Sequence, residues 1–156
     1  MNWEAMGAIG ESIGAVAVFV SLLYLAIQIR AQNRESRIAA MHDISVGFRD
    51  AVTRFATADM SEILVKANHD YSSLTDVEAQ RLIILYGQLF RAWEEAFIQY
   101  DEGRLDQRSW NAMMKYYVKL MGMPATQYAW NLRKSYLDEE FAAFVDEQPL
   151  EEYQTK

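Results

Sequence analysis

An all-α fold with one membrane-spanning helix at its N-terminus is what this sequence predicts, and three observations predict it. Ser12 to Ile29 is an uncharged run of eighteen residues, about 27 Å of helix at about 1.5 Å per residue, against a bilayer hydrocarbon core of about 30 Å. A buried helix of a soluble protein would show an outward polar face every three or four positions, and here only Ser21 and Gln28 interrupt the run. Downstream, apolar residues recur at helical spacing between capping residues, and no stretch alternates with the two-residue period of a strand.

The first helix is expected to be an uncleaved anchor. The residues before the apolar run carry Glu4 and no Lys or Arg, and no small-x-small cleavage pattern precedes a polar start. Arg30, Arg34 and Arg37 follow at once, so the positive-inside bias places the C-terminal bulk in the cytoplasm and the N-terminus outside. Trp3 and Tyr24, about 31 Å apart along a helix, suit the two interfaces. Glu11 then sits inside the Trp3 level, or at the outer edge facing water if the core runs from Ser12 to Ile29; the edge is favoured because a carboxylate in hydrocarbon is costly.

The small residues of this helix are ordered. Gly7, Gly10, Gly14, Ala17 and Ser21 recur at steps of three and four and share one stripe, and Gly10 with Gly14 forms a GxxxG pair. Lipid gives helices no hydrophobic reason to associate, so close backbone approach across small residues is the usual means of pairing. The seam predicts association with a second copy or with another membrane subunit.

No Pro interrupts Arg30 to Thr57, and Ile38, Met41, Phe48, Val52 and Phe55 continue a helical apolar stripe. Thr57 or Asp59 caps a short helix through Ile63, Leu64 and Lys66, with Asn68 to Ser73 as polar loop. Thr75 with Glu78 forms a capping box that starts a long helix from Asp76 to about Glu102, ended by Gly103. Its Ile83, Ile84, Leu85 and Tyr86 are apolar on all sides, which marks it as the central helix. Asp106 caps the next, lined by Trp110, Met113, Met114, Tyr117 and Met121 and stopped by Gly122. Pro124 opens another, in which Leu132 and Tyr136 continue a face with Tyr128. Asp138 caps a last short helix with Phe141, Phe144 and Val145, and the chain frays from Glu147. The expected organisation is an anchor over residues 1–30, a helical domain over 31–147 and an acidic tail over 148–156.

Composition narrows the chemistry. The formal net charge is −7 with no Lys/Arg-rich run, which argues against nucleic acid as a partner. The absence of cysteine removes disulfides, thiolate metal sites and cysteine nucleophiles. Gly10-Glu11-Ser12-Ile13-Gly14 matches the G-x-S-x-G string of a nucleophile elbow, but that motif needs a strand-to-helix turn beside a histidine, and His42 and His69 lie elsewhere in the chain. Neither histidine has a second ligand at helical spacing, so no metal or cofactor is expected. Arg91, Glu94 and Glu95 are the one cluster that could run acid–base chemistry; an ordinary surface pair of Arg91 with Glu95 is the simpler reading. Trp93, Trp110, Tyr117, Trp130, Tyr136, Phe141 and Phe144 are expected to fill the core.

Trp3, the strings Gly7–Glu11 and Gly14–Val18, and Leu22–Arg30 resemble the start of a family of small uncharacterised bacterial proteins with one N-terminal membrane helix and a helical domain. Trp130 with Arg133, and Phe141 with Phe144, are similar to its C-terminal part. The resemblance implies a bacterial inner-membrane setting and brings no activity or functional residue. The expected function is a non-enzymatic scaffold or accessory subunit, in the lipid bilayer as a homo-oligomer or within a larger membrane complex. The alternative is a homo-oligomeric pore with Glu11 near the ion path, and an enzyme using Glu94 or Glu95 is a third reading.

Overall fold

The computed structural model describes residues 3–153, with the backbone alone at residues 4–6, 8 and 12. Six α-helices follow one another: α1 (Trp3–Phe55), α2 (Ala58–His69), α3 (Asp76–Asp101), α4 (Gln107–Met121), α5 (Pro124–Arg133) and α6 (Glu139–Asp146). Short 3₁₀ turns fall at Tyr71–Ser73 and Lys134–Tyr136. The chain divides into two compact units, Met1–Ala39 and Ala40–Lys156, and α1 contributes residues to both.

In the second unit α3 is the central helix, packed on α2, α4, α5 and α6. Its start is the predicted capping box: Thr75 Oγ1 accepts from the Glu78 amide at 3.3 Å, and Glu78 Oε2 accepts from the Thr75 amide at 2.7 Å. Its end is a Schellman motif. Gly103, at φ 70°, donates to the Tyr100 carbonyl, and Arg104 donates to that of Gln99. Asp106 and Asp138 cap α4 and α6 as expected, and Pro124 opens α5.

Two expectations change in detail. Ile84 is exposed, because α3 keeps an outward row of Ile84, Gln88, Arg91 and Glu95 at helical spacing and buries Leu82, Ile83, Leu85 and Tyr86. The stripe on α1 also starts later than Met41. Ile44 and Ala51 are buried while Phe48, Val52 and Phe55 are half-buried, and Ile38 and Met41 face outward.

The core is aromatic. Trp93 stacks coplanar on Tyr117 with ring centroids 4.4 Å apart and meets Phe141 edge-on at 5.4 Å. Phe90 meets Trp130 edge-on at 5.2 Å, and Tyr100 stacks on Trp110 at 4.8 Å. Phe48 of α1 meets Tyr116 and Tyr117 edge-on, and Phe55 lies against Tyr86. Of the seven aromatics expected in the core, Tyr136 alone is exposed, and its ring lies 5.7 Å from the Arg133 guanidinium.

Candidate membrane-helix interface

The sequence from Ile9 to Phe55 forms the one helix, among the described residues, long and apolar enough to cross a membrane by length and composition, and none of its most apolar eighteen residues is buried. Ile13, Val16, Val18, Phe19, Leu22 and Leu25 are all exposed, around the helix on every face but the one that carries the small residues. That distribution separates it from a core helix such as α3, whose apolar residues are mostly covered.

The five seam residues Gly7, Gly10, Gly14, Ala17 and Ser21 are exposed. A Cβ placed at Gly7, Gly10 or Gly14 would meet nothing within 4 Å. Each glycine costs a helix interior about 1 kcal/mol relative to alanine, and within this chain no close packing or positive φ accounts for them. Glu11 is exposed beside the seam. Trp3, Tyr24, Arg30, Arg34 and Arg37 are exposed as well.

Ser21 and Gln28 each make one hydrogen bond within the helix: Ser21 Oγ donates to the Ala17 carbonyl at 2.8 Å, and Gln28 Nε2 donates to the Tyr24 hydroxyl at 2.8 Å. Unsatisfied polar groups cost several kcal/mol in hydrocarbon, so these local bonds suit an apolar surrounding. The i,i+4 spacing of Tyr24 and Gln28 is the sequence signal for the second of these bonds.

In the second unit, the acid–base cluster takes a different form from the expected Arg91–Glu95 pair. Arg91 pairs with Glu94, Nη1 to Oε2 at 2.6 Å, and its Nη2 donates to the Tyr136 carbonyl at 2.7 Å. Glu94 is only 6 % exposed, and its other oxygen accepts from the Asp138 amide at 2.6 Å. Both carboxylate oxygens are thus engaged, and the side chain ties α3 to the start of α6. Glu95 stays exposed and accepts from Gln99 Nε2 at 3.4 Å. Arg91, Glu95 and Arg133 rim an open concavity of about 580 Å³, and Glu94 is not part of its lining.

The remaining candidates do not converge. The Gly10–Gly14 backbone is helical throughout, without the turn a nucleophile elbow needs. His42 and His69 are exposed, and among the described residues no group of three His, Asp or Glu side chains gathers for a metal ion. The shifted ionisations of the second unit have structural causes. Lys66 and the Thr75 amide hold Glu78 down to about 2, and Arg81 holds Asp59 down to about 2. Burial pushes the Tyr86 and Tyr117 phenols up.

Comparison with protein-family models, with curated proteins and with solved structures finds no match for this chain. The likeness read over Trp3 to Arg30 therefore stands as an architecture, a small all-helical protein with one long apolar N-terminal helix, and identifies no family.

Proposed function

We propose that this protein is a membrane-anchored helical scaffold or accessory subunit, held in a bacterial inner membrane by the first part of α1 and assembling through the seam of Gly7, Gly10, Gly14, Ala17 and Ser21. The single observation that carries the reading is the set of glycines whose Cβ positions are open on an exposed apolar helix. Glycines on such a helix are explained by a neighbour from outside the chain, because close backbone approach is what they permit in lipid. The internal pairing of Ser21 and of Gln28 with Tyr24 adds support. On this reading Trp3 and Tyr24 mark the interfaces, and the arginines after Ile29 keep the second unit on the cytoplasmic side.

Replacing Gly10 and Gly14 with Leu places two bulky side chains in the seam. Crosslinking in native membranes should then lose the oligomer band, or co-purification should lose its partner, while the α-helical signal of the second unit is unchanged. Intact assembly in the double variant would overturn the reading.

A homo-oligomeric pore is the second reading, favoured by the position of Glu11, exposed beside the seam. A ring of carboxylates favours cations. Purified protein in planar bilayers should then carry a cation-selective current that Glu11→Gln changes; the absence of current removes this reading.

A further inference from the structure

The second unit holds an apolar cavity that nothing in the scaffold reading uses. It lies between the end of α1, α2, α3 and α4, with a volume of about 270 Å³ and no charged side chain in its lining. An apolar cavity of about 150 Å³ in another protein stays dry and holds benzene, so this one has room for a fused two-ring molecule. Its polar lining consists of Asn68, Tyr86, Tyr116 and Tyr153. Tyr86 is already used, since its hydroxyl shares a 3.0 Å hydrogen bond with Thr126 Oγ1.

The Tyr116 and Tyr153 hydroxyls can donate or accept, so Asn68 is the lining side chain that gives the cavity a directional preference. Its Oδ1 accepts from the Ala125 amide at 3.1 Å, at the first turn of α5, where the N-cap residue Met123 supplies no side-chain bond. That bond fixes the amide's orientation, so the group Asn68 presents elsewhere is its NH₂. A hydrogen-bond donor among aliphatic and aromatic walls selects an acceptor oxygen on an otherwise apolar ligand.

The last wall is the C-terminal strap. Tyr153 lines the cavity, and the chain that carries it passes so close to Gly122 that a Cβ there would fall inside the Glu151 carbonyl. Gly122, the C-cap of α4, has ordinary right-handed backbone at φ −69°, so it is the close approach and not the backbone conformation that calls for glycine. The absence of a side chain at residue 122 is what lets the strap seat beside the cavity.

We propose that this cavity binds an uncharged two-ring molecule bearing one carbonyl oxygen, which accepts from the Asn68 amide, with Tyr153 closing the site. The test uses the full-length protein in detergent micelles and two probes of one shape, 1-tetralone and tetralin, with and without the carbonyl. Every variant is measured in the same micelles, so that partition of the probe cancels. Saturable NMR shifts at the lining residues are expected for both, with 1-tetralone tighter by about fivefold, the ratio of one net hydrogen bond. Asn68→Asp keeps an acceptor for the Ala125 amide and removes the donor, so the ratio should fall to one or below. Val65→Trp changes a residue 60 % exposed at the cavity mouth and should abolish binding of both probes. Gly122→Ala, which unseats the strap, should weaken both. Shifts that never saturate, or binding unaffected by Val65→Trp, overturn the site. Equal affinity of the two probes for the unaltered protein overturns the role of Asn68.

Discussion

The first part of α1 and the whole of α3 are both long apolar helices, yet they solve the problem of apolar surface in opposite ways. In α3 the buried faces carry Leu82, Tyr86, Phe90 and Trp93, and a polar row of Gln88, Arg91 and Glu95 faces outward. The first part of α1 has no charged row after Glu11; its Val, Leu, Ile and Phe side chains are exposed on every face but the small-residue stripe. Their polar groups differ as well. One oxygen of Glu94 on α3 accepts from the distant Asp138 amide, whereas the bonds of Ser21 and Gln28 on α1 stay within four residues. A helix among other helices can borrow partners from them, and the side chains of the leading helix find theirs within about one turn.

The sharpest way to break this contrast is to cut one large side chain from each helix. Trp93, at 1 % exposure, touches Tyr117, Trp130 and Phe141. Trp93→Ala should lower the stability of the second unit by about 3–5 kcal/mol in denaturant titration. Phe19, at 66 % exposure, should be neutral to the same transition when changed to Ala. A comparable loss from Phe19→Ala would mean that the first part of α1 is buried in the fold.

A smaller effect separates the two carboxylates. Glu94→Ala leaves the Asp138 amide without its acceptor and should cost about 1–3 kcal/mol. Glu95→Ala, on the exposed row, should change stability by no more than about 0.5 kcal/mol. Similar costs for the two would show that the Glu94 link to α6 is not what holds that helix.

The smallest effect is in pH. Glu78 is held near 2, against its ordinary 4.5, first by Lys66 and then by the Thr75 amide. A depressed carboxyl stabilises the fold while ionised, so its contribution is whole above pH 4.5 and is lost as pH falls toward 2. Melting temperature should drop across that window, and Glu78→Gln should make the drop shallower. Asp59, held down by Arg81, acts in the same direction.

What could be read in advance was local. Thr75 with Glu78, Asp106, Pro124, Asp138 and Gly103 each determine backbone geometry within a few residues, and each stands where its chemistry requires. The partners hidden in the sequence were those joined across the fold. Glu94 and Asp138 are separated by 44 positions, and Asn68 and Ala125 by 57. Thr57 occupies the N-cap position of α2 but makes no side-chain cap there; its hydroxyl donates to the Arg54 carbonyl at 3.2 Å. Gly122 does stop α4, as its C-cap, and the need for glycine there comes from a strap some thirty residues later that no local pattern announces. The seam was legible because helical spacing alone defines it; what it faces lies outside the chain.

The placing of the four tryptophans has an optical consequence. Trp93, Trp110 and Trp130 are enclosed by other rings, so their emission should be blue-shifted and their near-ultraviolet dichroism strong for as long as the core holds. Trp3 stands apart from them, 72 % exposed, and should respond instead to quenchers dissolved in water or attached to lipid. One unlabelled sample can therefore report on the cohesion of the core and on the medium around the leading helix through separate parts of a single spectrum.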